Sequence, residues 1–431
     1  MSWVYIKDFK DHVGEEVTVK GWLYNKRKSG KIRFLIVRDG TGYVQCVMVK
    51  VELPEEEWSK FSDLTQESSL EVTGKIRAEK RAPGGYELDV NHIRIVQIAQ
   101  DYPITPKEHG VDFLLERRHL WLRSSRQHLI MQVRNEIIKA TRDYFYDNGF
   151  ILIDTPLITG SIGETASTLF ETEYYDFGTA FLAQTGQLYL EAACMAHGRV
   201  YGFGPSFRAE KSKTRRHLSE YWHVEGEVAF CDNDENIDIQ EDYVCYLVLR
   251  VLDRCRSQLE GLERDISKLE NITKPFHRFS YDDTIKMLQE MGSDIKWGED
   301  LGGDDETILT EKYNKPIFVI NYPAQAKAFY MKRHPDNPEL VLCSDLLAPE
   351  GYGEIIGASQ REDDYDLLIK RIREENLPEE AYGWYLDLRK YGSVPHSGFG
   401  LGIERTVTWI CGLHHIREAI PFPRMLYRLY P

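Results

Sequence analysis

Five short runs rich in β-branched and aromatic residues occupy the first 97 residues, and they constrain the fold more than any other feature of the chain. The runs are 16–23, 32–37, 42–49, 69–76 and 86–94, with a helix-like patch at 55–63 between the third and the fourth. Turn sequences such as Asp39-Gly40 and Pro83-Gly84-Gly85 separate them. Short strands with turn signals between them are typical of a small all-β domain. This arrangement predicts a five-stranded Greek-key barrel of the OB type over residues 1–97.

A basic stretch crosses the first two predicted strands. Residues 17–38 contain no aspartate or glutamate but carry seven lysines and arginines, with Trp22, Tyr24 and Phe34 among them. Nucleic-acid bases stack on aromatic rings, and lysine and arginine contact phosphates. The pattern favours a nucleic-acid surface on strands 2 and 3, where Phe34 and Gln45 fall and where OB barrels bind their ligands. A solvated basic face without a ligand is the alternative.

The bulk composition is that of a soluble globular protein, since the 431 residues are 42% hydrophobic and 29% charged. The net charge of −15 argues against wholesale electrostatic binding to nucleic acid, although it leaves room for a local basic surface. No apolar run approaches the length of about 20 residues that a membrane-spanning helix needs, and the N-terminus has no signal-peptide pattern. Seven scattered cysteines without a CxxC pair suit reduced thiols better than disulfides or zinc ligands. We therefore expect a cytoplasmic protein with no membrane segment.

The rest of the chain mixes helices and strands. Residues 98–118, rich in proline, lysine and arginine, are a predicted hinge or linker. Apolar residues at helical spacing follow over 127–146, and after Asp147-Asn148-Gly149 comes a strand-like run at 150–156. Further strands alternate with acidic amphipathic helices, including 235–258 and 363–375. The chain is therefore predicted to be α+β, with a second domain over 119–431.

Two segments carry residue types that suit a phosphate-bearing ligand. In one, the glycine-rich run 398–403 is followed directly by Glu404 and Arg405; glycines admit a ligand close to the backbone, and a guanidinium offers a fork for phosphate oxygens. The other, 207–221, surrounds Glu210 with six basic or histidine side chains, which repel one another unless an anion lies between them. An ordinary turn and a charged β-hairpin with surface ion pairs are the alternatives.

Together these segments resemble motifs 3 and 2 of the class II aminoacyl-tRNA synthetases, in the subclass of aspartyl, asparaginyl and lysyl enzymes, and the details resemble the asparaginyl enzymes. The unit at 127–156 resembles motif 1, which forms the dimer interface in that family. The resemblance implies an OB-type anticodon-binding barrel followed by a catalytic antiparallel sheet flanked by helices. The segment near 273–315 matches none of the catalytic motifs, so we expect it to be an insertion or cap.

Within this resemblance, two arginines are the expected catalytic residues. Arg208 is expected to contact the α-phosphate of ATP and the amino-acid carboxylate, and Arg405 the γ-phosphate. Guanidinium groups at these places neutralise the charge that develops on the phosphates. The other expected ATP-binding residues are Glu210 and Tyr221 at the adenine, Arg216 and His217 at the outer phosphates, and Glu354 and Gly402.

Asp345 and Glu354 stand on either side of a predicted tight turn at 346–353. Carboxylate oxygens in this arrangement suit a Mg²⁺ ion that bridges phosphates, and the resemblance assigns both residues to the metal. An ordinary surface position for either acid is the alternative.

Four residues are expected to form the amino-acid pocket. By resemblance, Glu164 and Gln187 bind the α-amino group, Arg361 faces the side-chain oxygen of the substrate, and Glu225 reaches the side chain. Aspartyl enzymes carry a lysine at the position of Leu190 and an aspartate at that of Glu225. Without the lysine, and with a longer acid that accepts from an amide and repels a carboxylate, the pocket favours asparagine.

Three further features accompany this pocket. His396, just before motif 3, is expected to help order the site, with an ordinary packing role as the alternative. Glu227 is a further candidate ligand for metal or ribose. Thr165-Ala166-Ser167 departs from the family pattern, because many relatives have a glycine after the glutamate.

On the barrel, the resemblance makes Phe34 the expected stacking platform for an anticodon base. Arg27, Gln45 and Glu87 are expected to contact base edges or phosphates. A ring in the barrel core is the alternative for Phe34.

The expected reaction is the ATP-dependent ligation of asparagine to its tRNA through asparaginyl adenylate, with Mg²⁺ as the metal and a homodimer as the assembly. Three rivals remain. They are an aspartyl-tRNA synthetase, which includes one that charges two tRNAs, an asparagine synthetase derived from such an enzyme, and a non-catalytic nucleic-acid-binding OB protein.

Overall fold

The structure, a computed structural model, describes residues 3–164 and 168–431. The chain forms two compact units, Met1–Gly110 and Val111–Pro431, and each has a hydrophobic core of its own. Among the described residues, no helix combines the length and the apolarity that a membrane span requires. The departure from the family pattern at Thr165-Ala166-Ser167 lies outside the described residues.

The first unit is a small barrel. Its elements are β1 (Glu16–Ser29), β2 (Ile32–Arg38), β3 (Tyr43–Val49), α1 (Glu55–Asp63), β4 (Ser69–Ala78) and β5 (Tyr86–Gln97), with 3-10 helices at Ile6–Asp11 and Pro83–Gly85. The strands pair in the order β1-β2-β3-β5-β4, and β4 pairs back with β1, which closes the barrel. Alternate residues of β1, among them Val17, Val19 and Leu23, point into the core, as the period of two along a strand requires.

The second unit begins with α2 (Val111–Glu116), α3 (Arg118–Trp121), α4 (Ser125–Asp147), β6 (Ile151–Leu152), β7 (Ile158–Thr159), β8 (Glu171–Glu173), β9 (Thr179–Leu182), α5 (Gln187–His197), β10 (Arg199–Phe207) and β11 (Glu220–Ala229). It continues with α6 (Asn233–Arg254), α7 (Arg256–Gly261), α8 (Ile266–Glu270), β12 (His277–Ser280), α9 (Tyr281–Glu290), α10 (Gly303–Thr310) and β13 (Ile317–Ile320). The last elements are β14 (Cys343–Ala348), β15 (Gly353–Gln360), α11 (Tyr365–Glu374), α12 (Gly383–Lys390), β16 (His396–Gly402) and α13 (Ile403–Cys411). Short 3-10 helices occur at Tyr175–Phe177, Ala324–Ala326, Glu379–Tyr382 and Ile416–Glu418.

An eight-stranded sheet of order β12-β13-β14-β15-β16-β11-β10-β6 is the centre of this unit. Its middle six strands are antiparallel, as predicted, whereas β12 with β13 and β6 with β10 are parallel pairs at the two edges. Helices α9 and α10 lie between β12 and β13 in the chain, and such a crossover returns the chain in the same direction. The predicted α+β class is therefore confirmed, with a mixed sheet.

The largest hydrophobic core of this unit lies between the sheet and helices α4, α6 and α13. Ile130, Val133 and Ile137 of α4 pack with Val244 and Val248 of α6 and with the apolar face of the strands. Helix α4 starts after Ser124, whose hydroxyl accepts from the Gln127 amide, and it ends before Asn148-Gly149, where Gly149 has a φ of +76°. The helix predicted at 127–146 is thus confirmed with slightly wider bounds. The opposite face of the strands is left to form the site described next.

Candidate active site

Two adjoining cavities lie over the strands of the second unit. The larger has a volume of about 660 Å³ and the smaller about 70 Å³, and both are lined by Arg208, His223, Glu354 and Gly400. Strand β11 lines them because residues two apart face the same side of a strand. The lining residues on that strand are Tyr221, His223, Glu225 and Glu227.

The structure brings most of the predicted site residues to these cavities. The larger cavity is lined by Glu164, Gln187, Arg208, Glu225, Asp345, Glu354 and Arg361, and the smaller by Arg208, Arg216, His217, Tyr221, Glu354, Gly402 and Arg405. Within the part of the chain that the structure describes, Glu210 is exposed and lines neither cavity. Its carboxylate lies 3.6 Å from Nε2 of His217.

Arg208 lies directly after β10, at the junction of the two cavities. Its Nη2 donates to Glu164 at 2.8 Å, and its guanidinium lies 5.6 Å from the ring centre of Tyr221. Burial disfavours the charged form, but the neighbouring Glu164 carboxylate raises the pKa of Arg208 overall. Among the described residues, its buried Nε has no hydrogen-bond partner.

Arg405 follows the glycine-rich strand β16, in the first turn of α13. Its Nη1 donates to the carbonyl oxygen of Glu354 at 3.0 Å and to the carboxylate of Glu354 at 2.7 Å. Burial alone would raise the pKa of Glu354, yet Arg405 and Lys327 lower it to about 2. The preceding Glu404 also lines the smaller cavity, and its buried carboxylate accepts from the Trp222 amide at 2.9 Å.

Arg216 is held by a helix that the sequence analysis did not connect to the site. Its Nη1 donates to Glu306 at 2.8 Å and its Nη2 to Thr307 at 2.6 Å, both on α10. Burial and the nearby Glu354 raise the pKa of Glu306 to about 7, and its carboxylate also accepts from the Glu354 amide at 3.0 Å. Helix α10 belongs to the segment predicted as an insertion, and it contacts a residue that lines the smaller cavity.

The two candidate metal ligands converge over a glycine. Asp345 on β14 pairs with Gly357 on β15, and a Cβ added at Gly357 would lie 3.1 Å from Oε1 of Glu354 and 3.8 Å from Oδ1 of Asp345. The Lys327 ammonium binds the other oxygen of Asp345 at 2.7 Å. Burial raises the pKa of Asp345 to about 6, although Lys327 opposes the shift. Sequence reasoning missed Lys327, since its partner lies 18 residues away with no motif between them.

One end of the larger cavity, here called the side-chain end, is lined by the ion pair of Arg361 and Glu227. Arg361 donates from Nε and Nη2 to the two oxygens of Glu227, each at 2.9 Å, and from Nη1 to Ser359 at 2.8 Å. A Cβ at Gly398 would lie 1.9 Å from Oε2 of Glu227, so only glycine fits there. Both oxygens of Glu227 already accept from Arg361, and a role of Glu227 as a metal or ribose ligand stays a prediction.

Glu225 faces neutral donors. Its carboxylate accepts from the Gly186 amide at 2.9 Å and from the Thr185 hydroxyl, with Nδ1 of His223 at 3.5 Å. Leu190 is fully buried in an apolar cluster with Cys194 and lies outside the described lining of the cavity. Position 190 therefore contributes no charge to the larger cavity.

The predicted residues of the barrel form one network across β1, β2, β3 and β5. The Arg27 guanidinium lies 4.1 Å from the ring centre of Phe34, and its Nη2 donates to Gln45 at 2.9 Å. Gln45 donates to Glu87 at 2.6 Å, and Arg77 also donates to Glu87. Phe34 is half-buried and does not belong to the barrel's core cluster.

Comparison with known proteins gives a consistent result over the whole chain. A family model described as tRNA synthetases class II (D, K and N) matches residues 110–426, and one described as an OB-fold nucleic acid binding domain matches residues 17–96. The asparaginyl-tRNA synthetase from Pyrococcus horikoshii complexed with asparaginyl-adenylate is 45% identical, with a TM-score of 0.97 over 100% of both chains. The asparaginyl-tRNA synthetase from Entamoeba histolytica in complex with asparaginyl-adenylate is 35% identical, with a TM-score of 0.89 over 97% of both chains. The aspartyl tRNA synthetase from Entamoeba histolytica is 26% identical, with a TM-score of 0.83 over 100% of this chain and 93% of the other.

Proposed function

The chain belongs to the class II tRNA synthetases of the D, K and N group, and we propose that it is an asparagine–tRNA ligase. The enzyme joins asparagine to ATP, which gives asparaginyl adenylate and pyrophosphate, and then transfers the asparaginyl group to the terminal ribose of asparagine tRNA. Identities of 45% and 35% to two asparaginyl enzymes, against 26% to an aspartyl enzyme, support asparagine over aspartate.

The observation that carries this choice is the charge pattern at the side-chain end of the cavity. The positive charge of Arg361 is matched by the buried carboxylate of Glu227, so it is not left free to attract a substrate carboxylate. Glu225 adds a second acid that accepts hydrogen bonds and donates none. An amide side chain can donate to that acid, whereas the carboxylate of aspartate is repelled. The pocket therefore favours the neutral substrate.

To form the adenylate, the protein must align the asparagine carboxylate with the α-phosphorus of ATP and neutralise charge on the phosphates. No covalent intermediate with the protein is needed. The asparagine carboxylate attacks the α-phosphorus and pyrophosphate leaves. Arg208, which lines both cavities, neutralises the α-phosphate and the carboxylate. Arg405, Arg216 and His217, which line the smaller cavity, bind the outer phosphates, and Tyr221 packs on the adenine. In the transfer step the ribose hydroxyl attacks the carbonyl carbon, and the departing AMP phosphate takes its proton.

Mg²⁺ is the metal that this donor set fits. Asp345 and Glu354 offer hard oxygen ligands that converge over Gly357, with no bulkier side chain at that position. Two carboxylates are enough for an ion that takes its other ligands from phosphates and water. When bound, the ion neutralises charge on the phosphates of ATP.

The barrel face formed by Arg27, Phe34, Gln45 and Glu87 is proposed to bind the tRNA anticodon. The ring of Phe34 offers a stacking surface next to a guanidinium. The Gln45 amide is held between Arg27 and Glu87, so that its donor and acceptor point in fixed directions. Fixed polar groups beside a ring can read the edge of a base that stacks on it.

A homodimer is proposed through the region that resembles motif 1. Exposed apolar side chains follow one another there at Tyr146, Ile151, Leu152, Leu157 and Ile158, and β6 is an edge strand of the large sheet. An apolar edge of this kind is a usual place for a second copy to dock. The seven cysteines are free and buried, which supports a reducing compartment, and we propose the cytoplasm.

ATP–pyrophosphate exchange with asparagine and aspartate side by side tests the proposed function. We expect exchange with asparagine, and kcat/KM lower with aspartate by roughly thirtyfold or more, because a buried charge opposite the wrong group costs about 2–5 kcal/mol. Equal exchange with aspartate would keep the family and overturn the pocket argument. Exchange with neither amino acid would overturn the proposed activity.

A further inference from the structure

Glu191 is a fully buried carboxylate that lies beneath the amino-acid cavity, outside its described lining. It is on α5, four residues after Gln187, and Nε2 of Gln187 donates to it at 3.1 Å. Arg389 donates to it from Nη2 at 2.7 Å, and the Tyr385 hydroxyl lies 2.8 Å from each of its oxygens. His396 contacts it from Nε2 at 2.9 Å. Because the buried carboxylate of Glu191 contacts all four of these side chains, it constrains their positions.

The contact with Gln187 determines which way its amide points. A carboxylate only accepts hydrogen bonds, so the group that faces Glu191 must be the NH₂ of the amide. The amide oxygen of Gln187 is thereby directed away from Glu191, and Gln187 lines the larger cavity. An oxygen in that position accepts from an ammonium group, whereas an NH₂ would repel it. Without Glu191, nothing in this contact would select between the two orientations.

His396 also depends on Glu191. Its Nδ1 lies 2.8 Å from the carbonyl oxygen of Val394, and its Nε2 lies 2.9 Å from Glu191. Each ring nitrogen of His396 therefore has an oxygen acceptor within hydrogen-bond distance. Glu191 thus faces the Arg389 guanidinium and the His396 imidazole.

This cluster adjoins the pair that faces the substrate side chain. One carboxylate oxygen of Glu191, one of Glu227 and a ring nitrogen of His396 all lie within 4.8 Å of one another, and Glu227 pairs with Arg361. Three carboxylates, Glu191, Glu225 and Glu227, lie near Arg361, which is paired with Glu227, while Arg389 is paired with Glu191. A neutral amide side chain adds no charge beside these carboxylates, and an aspartate side chain adds a negative one.

We propose that Glu191 is a positioning and specificity residue of the asparagine site, an inference that rests on the proposed function. It acts through Gln187, whose amide oxygen it turns toward the α-amino group of the substrate. It also supplies one of the negative charges that make the site unfavourable for aspartate.

The substitution E191Q tests both parts. A glutamine at 191 can present either end of its amide, so the Gln187 oxygen is no longer held toward the cavity. We expect the KM for asparagine in pyrophosphate exchange to rise about tenfold or more, with a smaller fall in kcat. Because one negative charge is removed, we expect the ratio of kcat/KM for asparagine to that for aspartate to fall as well.

E191D is the matched variant, because it keeps the charge and draws the carboxylate back by one methylene. We expect its KM for asparagine to rise as in E191Q, while the asparagine-to-aspartate ratio stays at the wild-type value. Aspartate keeps a carboxylate opposite Arg389 and His396, so E191D is expected to fold even if E191Q does not, as thermal melting of each variant will show.

The outcomes separate this inference from the proposed function. Wild-type enzyme without asparagine-dependent exchange would overturn the proposed function. Wild-type exchange together with an unchanged KM in E191D, or with unchanged KM and ratio in a folded E191Q, would overturn the inference alone. A parallel loss of kcat in both variants without any change in KM would assign Glu191 a merely structural role.

Discussion

In the proposed function, Arg405 binds the outer phosphates of ATP. Its guanidinium donates to the carbonyl and carboxylate oxygens of Glu354 at 3.0 and 2.7 Å, at the wall of the smaller cavity. We expect R405A to lower kcat/KM for ATP in pyrophosphate exchange by about a hundredfold or more, because a charge-neutralising donor is lost. Circular dichroism should report an unchanged fold.

A matched control for R405A is available on the surface of the same unit. Arg373 on α11 is exposed and pairs with Glu379 at 2.6 Å, and we expect R373A to exchange pyrophosphate like the wild type. Wild-type exchange by R405A would remove Arg405 from the mechanism.

His415 makes the stability of the enzyme depend on pH. Burial, together with the positive charges of Arg417 and Arg215, lowers the pKa of His415 to about 4, and its Nδ1 accepts from the Arg417 amide at 3.2 Å. The folded ring stays neutral where the unfolded ring, with a pKa of about 6.5, takes up a proton. Unfolding therefore binds a proton, and stability is lost as the pH falls from about 6.5 toward 4.

H415N isolates this effect. Asparagine keeps a cap acceptor but does not titrate in this range, so we expect the free energy of unfolding in urea to fall less between pH 7 and pH 5 in H415N than in the wild type. An equal fall in both proteins would contradict the assignment.

At the scale of elements, the start of α6 is a capping box. Asp232 accepts from the Glu235 amide at 2.9 Å, and Glu235 accepts from the Asp232 amide at 3.2 Å. We expect D232A to lower the free energy of unfolding by about 1 kcal/mol, measured by urea denaturation. D234A, in the same first turn, removes only a charge near the helix terminus and is expected to cost about 0.3 kcal/mol. Equal losses in the two variants would argue against the box.

The elements themselves were largely predictable because their signals are local. Strands β2 to β5 and α4 appear within a few residues of the predicted bounds, since periods of 2 and 3.6 are visible in short windows. The prediction of β1 ended at residue 23, whereas the strand runs to Ser29. Its last residues are basic rather than apolar, and they are held extended by pairing with β2. The parallel sheet edges were missed because they depend on crossovers rather than on local pattern.

The site was predictable only where a motif marks it. Arg208, Glu225, Glu354 and Arg405 lie in recognisable segments, and the structure brings them to adjoining cavities. The ion pairs around the site are not marked by a motif, because their members are far apart in the chain. Glu306 lies 90 residues from its partner Arg216, and Arg389 lies 198 residues from its partner Glu191. Such pairs form when distant strands and helices meet, so no short window of sequence contains them.

At the scale of the whole molecule, the two compact units carry separate tasks in the proposed function. We expect F34A, on the barrel, to raise the KM for tRNA in aminoacylation by about tenfold, because a stacking contact with a base contributes about 1–3 kcal/mol. Pyrophosphate exchange without tRNA should stay at the wild-type rate.

The control for F34A is an aromatic residue of the same unit. Tyr5 is partly exposed and does not contact the network of Arg27, Gln45 and Glu87 in the described contacts, so Y5A should leave the KM for tRNA unchanged. A wild-type KM in F34A, or an equal rise in Y5A, would contradict the anticodon assignment.

Aminoacylation with a mixture of asparagine and aspartate at equal concentration tests the central claim most directly. The purified enzyme is given ATP, Mg²⁺ and asparagine tRNA, and the amino acid released from the charged tRNA is identified by mass spectrometry. The account predicts asparagine on the tRNA with aspartate at background. Aspartate on the tRNA at a comparable level would contradict it.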